Sequence, residues 1–280
     1  MEISLGGEML RFDNLGQYLL LKNGNFLYKV PYRGKWAVLK VYFGSRGWWG
    51  CVRKSLNNWI QDQSSFMPRK RRANELRAMR VWREAGLRVF DTYEDVTVAG
   101  LPEGGYALFE YAEGTKFSAY FADPSVSLDA KRAMWQRYLD EAGRRHALCI
   151  EKREPALIHE NGDLKHVLIL DSDDLLYFDF EVTYRSPGKV RRHIARELLA
   201  FLRSLGRYAG KDVFDPLLED TRKHYPHPDL LRECYRILYR HPNPLHRLGR
   251  ILERAVKPRA RKPYSIHNVA LLFREDSSGT

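Results

Sequence analysis

The sequence predicts an α+β fold, in which a small antiparallel β-sheet with one helix is followed by a larger helical part. Three observations lead to this prediction. Residues 17–43 read as three strand-like runs separated by short turns that contain Asn and Gly. Beyond residue 128, apolar side chains recur mostly at helical spacing. Two further apolar runs, residues 167–170 and 175–178, flank an acidic turn and predict a hairpin.

The N-terminal region holds the predicted sheet. Its first three runs follow one another across short turns, so they are expected to form consecutive antiparallel strands. Two later runs are expected to pair with each other, and a third forms a further apolar strand. The predicted strands are residues 17–22, 26–32, 35–42, 87–93, 96–101 and 106–111.

The predicted helices are amphipathic or apolar on one face. The first is short and ends at Gly86, a residue type that commonly follows a helix C-terminus. His146, near the end of the second, is expected to be a core or cap residue with no part in catalysis. The segments are residues 73–85, 128–147, 190–208, 215–224 and 228–239.

Length and charge limit the classes of function. A chain of 280 residues with 44% hydrophobic side chains can bury a core as one large domain or two lobes. Its formal net charge of +12 favours an anionic partner: a nucleic acid, a phosphorylated substrate or an anionic membrane face. No helix-turn-helix, zinc-knuckle or RRM-like motif is present, so nucleic-acid binding is not expected.

The cysteines and the hydropathy pattern indicate a cytoplasmic location. Cys51, Cys149 and Cys234 are far apart, and no Cys-x-x-Cys pair supports a zinc site or a disulfide framework. The N-terminus lacks the basic and apolar regions of a signal peptide. No run approaches the length of a transmembrane helix, so we expect any membrane contact to be peripheral.

Residues 158–181 (IHENGDLKHVLILDSDDLLYFDFE) carry the clearest chemical signal. A polar loop precedes the predicted hairpin, and Asp179 follows the second apolar run directly. Such an arrangement suits a divalent metal and a phosphate beside a base. It offers hard oxygen ligands for Mg²⁺ and a second carboxylate to orient a hydroxyl. The polar side chains of the loop include His159, Asn161, Asp163 and His166.

This stretch resembles the catalytic loop and metal loop of protein-kinase-like phosphotransferases, in particular the bacterial lipopolysaccharide core kinases (the Kdo and heptose kinases). Their catalytic loop reads His-Arg-Asp, then four residues, then His or Asn and an apolar pair. His159 and His166 have this spacing. Their metal loop is of the Asp-Phe-Glu or Asp-Leu-His type, which Asp179-Phe180-Glu181 matches.

The resemblance implies a two-lobed protein-kinase-like fold, with an N-lobe over residues 1–111 and a C-lobe over residues 112–280 that carries basic C-terminal helices. ATP would lie between the lobes. Lys40 ends an apolar strand (Ala-Val-Leu-Lys) that resembles the kinase Val-Ala-Ile-Lys strand, so it would bind the α- and β-phosphates. Glu75 is the candidate partner that holds Lys40, and Glu84, later in the same helix, is the alternative.

Further nucleotide contacts follow from the same resemblance. The apolar strand at residues 106–111 would lead into the hinge, where backbone groups near Glu110 and Ala112 bind adenine. The turn at Gly24 would be the loop that covers the phosphates. That turn has one glycine where kinases have three, so an ordinary hairpin is the alternative.

The catalytic carboxylate has two candidate positions. In ungapped register Asn161 stands where the family has its Asp. A second register places Asp163 there but shortens the loop by two residues before His166. Asn can orient a hydroxyl but cannot accept its proton at neutral pH, so the chemistry prefers Asp163.

The metal ligands are predicted from the same alignment. Asp179 would bind Mg²⁺, and His166 takes the position of the second ligand, which is usually Asn. Imidazole is a poorer Mg²⁺ ligand than an amide oxygen, so His166 has an alternative role in hydrogen bonding to the phosphate or to the loop.

Two basic segments point to a surface contact. Residues 43–72 combine tryptophans with Arg and Lys, which suits an interface or an anionic headgroup, with a solvated loop and helix flank as the alternative. Residues 242–262 form a basic amphipathic segment that suits an anionic membrane surface, a partner groove or packing on the C-lobe.

The predicted function is therefore an ATP- and Mg²⁺-dependent kinase that phosphorylates a sugar hydroxyl of the lipopolysaccharide inner core, an anionic acceptor. One alternative is a catalytically impaired kinase-fold protein that acts as a binding or scaffold module. Another is a small-molecule or protein kinase of a different branch.

Overall fold

The computed structural model describes residues 8–22, 24–43, 47–240 and 244–274. Its contacts divide the chain into two compact units. The first comprises Met1–Glu113 and Phe178–Arg185, and the second comprises Gly114–Tyr177 and Ser186–Thr280. The predicted α+β class is confirmed, because the first unit is built on an antiparallel sheet and the second is mainly helical. The boundary between an N-lobe and a C-lobe at residue 111 stays a prediction.

Among its described residues, the first unit contains seven strands: β1 (Glu8–Leu10), β2 (Leu19–Lys22), β3 (Phe26–Tyr32), β4 (Lys35–Val41), β5 (Thr92–Tyr93), β6 (Val96–Val98) and β7 (Tyr106–Glu110). Five of them make an antiparallel sheet in the order β2-β3-β4-β7-β5. The three predicted hairpin strands are therefore consecutive neighbours. Asn23, in the first predicted turn, lies outside the described residues.

The predicted pairing of the two later runs is wrong. β5 pairs with β7, whereas β6 pairs in parallel with β1. Both runs are much shorter than predicted, and β1 is a three-residue strand without a sequence pattern strong enough to reveal it. The backbone groups of β6 are thus satisfied by a partner that the sequence did not indicate.

Side chains that alternate along β4 pack into the core on one face of the sheet and leave Lys40 on the other face. Ala37, Leu39 and Val41 join the apolar cluster on one face of the sheet. Because successive side chains of a strand point to opposite faces, Lys40 lies on the other face, in register with Ala107 of β7.

Two helices, α1 (Trp48–Ile60) and α2 (Pro68–Glu84), complete the first unit. Most of residues 43–72, for which a solvated loop and helix flank is the alternative interpretation, is therefore helical, and α2 begins before residue 73. Pro68 occupies the first turn of α2, where its missing N–H costs nothing, and the Lys and Arg residues that follow are good helix formers. Gly86 lies just beyond α2 with a φ of +76°, as expected for a residue that ends a helix.

The second unit contains a three-stranded antiparallel sheet, β8 (Thr115–Lys116), β9 (Val167–Ile169) and β10 (Leu175–Tyr177), in the order β10-β9-β8. The predicted hairpin is β9–β10. Helix α5 packs against α3, α4, α6, α7 and α9 and is the centre of the unit. The helices are α3 (Phe117–Ala122), α4 (Leu128–Lys152), α5 (Val190–Ala209), α6 (Lys211–His224), α7 (Pro228–Tyr239), α8 (Pro244–Val256) and α9 (Ile266–Leu271).

A buried polar network joins α4 to α5. Arg145 binds both carboxylate oxygens of Glu197, at 3.1 Å and 2.6 Å. His146 Nε2 lies 3.1 Å from Glu197, and its Nδ1 lies 2.6 Å from the hydroxyl of Tyr225. His146 is thus a core residue, as predicted. α8 carries most of the basic segment, of which residues 242–243 are not described. No helix in the described ranges combines the length and hydropathy that crossing a bilayer requires.

Candidate active site

Lys40 is the centre of a charged cluster in the first unit. Its side chain is only 9% exposed, although a lysine is rarely buried without a partner. The ammonium nitrogen lies 2.9 Å and 2.7 Å from the two carboxylate oxygens of Glu75 on α2. The cluster therefore contains the lysine–glutamate pair that the sequence resemblance implies.

Glu75 is fixed by a second donor. The hydroxyl of Tyr42, just after β4, donates to Glu75 Oε2 at 2.6 Å. Burial raises the pKa of Glu75, and the ion pair with Lys40 acts against that rise. Glu84, the alternative partner, is exposed at the far end of α2.

The metal loop supplies two more carboxylates. Asp179 Oδ1 lies 3.9 Å from Lys40 Nζ, and Glu181 Oε1 lies 2.8 Å from the same nitrogen. Between them, the buried ring of Phe180 packs on Trp82 of α2, with ring centroids 4.7 Å apart. This anchor directs the two carboxylates on either side of it toward β4.

Asp179 has a left-handed backbone, with a φ of +74°. Such a conformation costs free energy for a residue with a Cβ, and it persists only where surrounding contacts hold it. Backbone strain of this kind is concentrated at functional sites, which agrees with the predicted role of the loop.

The charges in the cluster do not cancel. Burial alone would lower the pKa of Lys40, but the three surrounding carboxylates together raise it above its ordinary value. Lys40 and Arg71 supply two positive charges against three carboxylates, Glu75, Asp179 and Glu181. The excess is one negative charge, and Asp179 is the most exposed of the three carboxylates, so it is the one best able to meet a cation from solvent.

Arg71 is a site residue that the sequence did not reveal. It is buried on α2 and donates to Glu181 Oε2 at 2.9 Å and to Asn25 Oδ1 at 2.6 Å. It also donates to the carbonyls of Gly24 and Tyr42. Asn25 in turn donates to Glu181. The turn at Gly24, predicted to cover phosphates, is thereby tied to the metal loop.

A signal for Arg71 exists in the helical spacing. Arg71, Glu75, Met79 and Trp82 recur at intervals of three or four residues and form the buried face of α2. The helix was predicted to begin after Arg71, so the shared face with Glu75 could not be recognised.

The hinge candidates lie at the end of β7. The side chain of Glu110 accepts from the Asp91 N–H at 3.0 Å and pairs with Arg88. Its own N–H donates to the Asp91 carbonyl at 2.9 Å. The N–H of Glu110 is therefore already used. Of the two predicted adenine contacts, only half-buried Ala112 would donate its backbone N–H to adenine.

In the second unit, the polar loop is organised by its two histidines. The ring of buried His159 stacks on that of His166, with centroids 6.0 Å apart. His166 Nδ1 donates to the carbonyl of Asn161 at 2.9 Å. This hydrogen bond is the loop contact considered as the alternative role of His166, and its role as a metal ligand stays a prediction.

Asp163 and Asn161 differ in their surroundings. Asp163 Oδ1 accepts from Ser204 Oγ of α5 at 2.8 Å and from the Lys165 N–H at 3.1 Å. Its other oxygen lies 3.8 Å from Arg207. Asn161, by contrast, has an exposed side chain at the tip of the loop. Both registers of the catalytic position therefore remain open.

Gly162, between these two residues, is required by close packing. A Cβ there would lie 2.9 Å from the ring of Phe201 and 3.1 Å from the carbonyl of Glu197. Only glycine lets the loop approach α5 this closely.

The donor set fits a magnesium nucleotide. Within the described ranges, no three His, Cys, Asp or Glu side chains form a metal-binding group. Mg²⁺ in phosphotransferases is commonly held by one or two carboxylates together with substrate phosphates and water, so a complete protein cage is not needed. A partly exposed carboxylate beside a buried ammonium provides the hard oxygen and the phosphate-binding cation for such a complex.

Comparison with known proteins gives limited guidance. No family model matches the chain, and no curated protein matches it. A solved structure of WaaP in complex with acyl carrier protein is similar at a TM-score of 0.46 and 16% identity, covering 79% of this chain and 86% of that one. The PknI kinase domain of Mycobacterium tuberculosis is similar at 0.37 and 12%, covering 89% of each chain. At these TM-scores, neither similarity assigns an activity or a residue role.

Proposed function

We propose that this chain is an ATP-dependent phosphotransferase that phosphorylates a sugar hydroxyl of the lipopolysaccharide inner core. The observation that carries the proposal is the burial of Lys40 against Glu75, with Asp179 at 3.9 Å. A buried lysine held by Glu75 and Glu181 and facing a third, more exposed carboxylate suits a magnesium-bound polyphosphate better than a purely structural ion pair.

The nucleotide roles follow from this geometry. Lys40, held by Glu75, would bind the α- and β-phosphates. Glu181 would give up its contact with Lys40 when phosphates arrive, because Arg71 and Asn25 continue to hold it. Mg²⁺ bound at Asp179 would offset the negative charge of the phosphates. Gly24, Glu110 and Ala112 stay the candidate contacts for phosphate and adenine.

We assign binding and deprotonation of the sugar hydroxyl that accepts the phosphoryl group to the polar loop. The acceptor oxygen attacks the γ-phosphorus, the bond from that phosphorus to the bridging oxygen breaks, and ADP leaves with the electron pair. We assign the acceptor's proton to Asp163, the carboxylate at the centre of the loop, and orientation of the hydroxyl to exposed Asn161.

The acceptor class rests on the sequence resemblance to lipopolysaccharide core kinases and on charge. A net charge of +12 suits an anionic sugar presented at the cytoplasmic face of a membrane.

The test is phosphate transfer from labelled ATP to deacylated inner-core oligosaccharides that carry Kdo or heptose. We expect Mg²⁺-dependent labelling of the oligosaccharide by the wild type and none by Asp179→Asn. Binding of a fluorescent ATP analogue is measured in parallel. The transferase proposal fails if the wild type binds the analogue but labels no oligosaccharide.

A catalytically impaired kinase-fold protein is the second candidate. The observation that favours it is the engagement of Asp163 by Ser204 and the Lys165 N–H, with Asn161 in the ungapped catalytic position. In that case nucleotide binding would persist without transfer to any sugar, peptide or small-molecule acceptor.

A further inference from the structure

Helix α1 presents an unusually apolar surface. Trp48, Trp49, Leu56, Trp59 and Ile60 are between 60% and 77% exposed. Single exposed apolar residues are common, but five large ones on a thirteen-residue helix form a contiguous patch, which marks an interaction site.

The five side chains share one face. At 100° per residue, they and half-buried Val52 fall within an arc of about 120° around the helix axis. The opposite side is anchored, because Cys51 and Asn58 are buried. Asn58 donates to the Ser64 carbonyl at 3.1 Å and accepts from the Gln63 N–H at 2.8 Å. The helix is therefore fixed to the unit by one side and directs its apolar face outward.

A groove of about 520 Å³ runs beside this face. Its apolar wall includes Val52, Leu56 and Trp59, and its other wall includes Lys70 and Arg185. Both cations are exposed, and neither side chain pairs with an acidic residue anywhere in the described ranges. Apolar side chains thus stand next to two available positive charges.

The charged side chains of α1 are all positive. α1 contains Arg53 and Lys54 but no Asp or Glu. Asp62, two residues beyond the helix, is half-buried and outside the apolar arc. An anionic surface is therefore the complementary partner.

We propose that α1 docks this protein on the surface of an anionic phospholipid bilayer. Tryptophan is the side chain most typical of the headgroup region, where an apolar ring and a polar N–H are both satisfied. Lys70 and Arg185 would contact lipid phosphates while the groove receives the upper part of an acyl chain. The helix is about 20 Å long, too short to span, so it lies in the plane of the interface.

The test is flotation with vesicles of phosphatidylglycerol and phosphatidylethanolamine, compared with vesicles of phosphatidylcholine, at physiological salt. We expect the wild type to float only with the anionic vesicles. Lys70→Glu and Arg185→Glu should each weaken binding at least about fivefold, because one cation near an anionic bilayer contributes a factor of that size. Trp49→Ser/Trp59→Ser should weaken it further.

The matched control is Trp36→Ser, which removes an exposed tryptophan of β4, outside the α1 patch. Circular dichroism checks that each variant is folded. The docking proposal is overturned if the wild type does not float with anionic vesicles, or if Trp36→Ser weakens binding as much as the α1 variants. The test does not involve transferase activity, so it stands or fails apart from the proposed reaction.

Discussion

Lys40 Nζ lies 3.9 Å from Asp179 Oδ1, although β4 and the metal loop are far apart in the sequence. α2 makes this approach possible, since Glu75 fixes the lysine and Trp82 fixes the loop through Phe180. One helix face therefore sets the distance between the residue proposed to bind phosphate and the residue proposed to bind metal.

Replacing Lys40 with Met should lower the rate of transfer by about 10²-fold or more while leaving a folded protein. The ammonium group is proposed to offset phosphate charge, and removing one such preorganised charge typically lowers kcat by about 10²-fold or more. Steady-state kinetics and binding of a fluorescent ATP analogue would measure the effect. Lys35→Met is the control, because Lys35 is an exposed lysine at the start of the same strand. Equal activity of the two variants would contradict the assignment.

Replacing Arg71 with Met should destabilise the protein strongly. The change leaves Glu181 and Asn25 buried without their main donor, and breaking a buried ion pair costs roughly 3–5 kcal/mol. Urea unfolding would measure the free energy. Arg69→Met, at an exposed position of the same helix turn, should change it by less than about 0.5 kcal/mol. Similar free energies for both variants would show that the network contributes little.

Substitutions in the polar loop distinguish the two possible catalytic positions, Asp163 and Asn161. Asp163→Asn keeps an oxygen that can accept from Ser204 and Lys165, so the loop should stay folded, but it removes the base. We expect kcat to fall by about 10²-fold or more. Asn161→Ala should have a smaller effect. If Asp163→Asn remains active and Asn161→Asp increases kcat, the catalytic position belongs to Asn161.

Much of this arrangement was visible in the sequence, for reasons of periodicity and order. Alternation placed β3 and β4. The resemblance of the strand that ends in Lys40 to the kinase Val-Ala-Ile-Lys strand led to the lysine, and the resemblance of the following helix to the family pattern led to Glu75. α1 was missed because its apolar residues face outward, so the segment was interpreted as a contact with an interface or an anionic headgroup and not as a helix with a core face.

The remaining parts of the site depend on contacts between residues that are distant in sequence. Arg71 appeared to belong to a solvated basic run, and only the tertiary structure brings Asn25 and Glu181 to it. In the same way, Asp163 carries no local sign that Ser204 and Arg207 would hold it. The spacing of residues in the sequence indicates which charged side chains take part in the site. Which buried residues pair with those charges depends on the tertiary structure.

Acid should destabilise the protein through the His146–Glu197 network. Burial and Arg145 lower the pKa of His146 from 6.5 to about 4, although Glu197 acts in the opposite direction. Burial alone would raise the pKa of Glu197, but Arg145 and His146 lower it from 4.5 to about 2. In both cases the unfolded chain binds protons at a higher pH than the folded chain does.

The free energy of unfolding should therefore fall as the pH drops from 6.5 towards 4, by roughly 3 kcal/mol from His146 alone, and fall further towards pH 2. Urea unfolding at successive pH values would measure this slope. His146→Gln removes this titrating imidazole, so its unfolding free energy should be lower than that of the wild type at pH 7 and should fall less steeply between pH 6.5 and 5. A wild-type free energy that stays constant over that interval would mean that His146 is protonated as readily in the folded protein as in the unfolded chain, which its full burial beside Arg145 argues against.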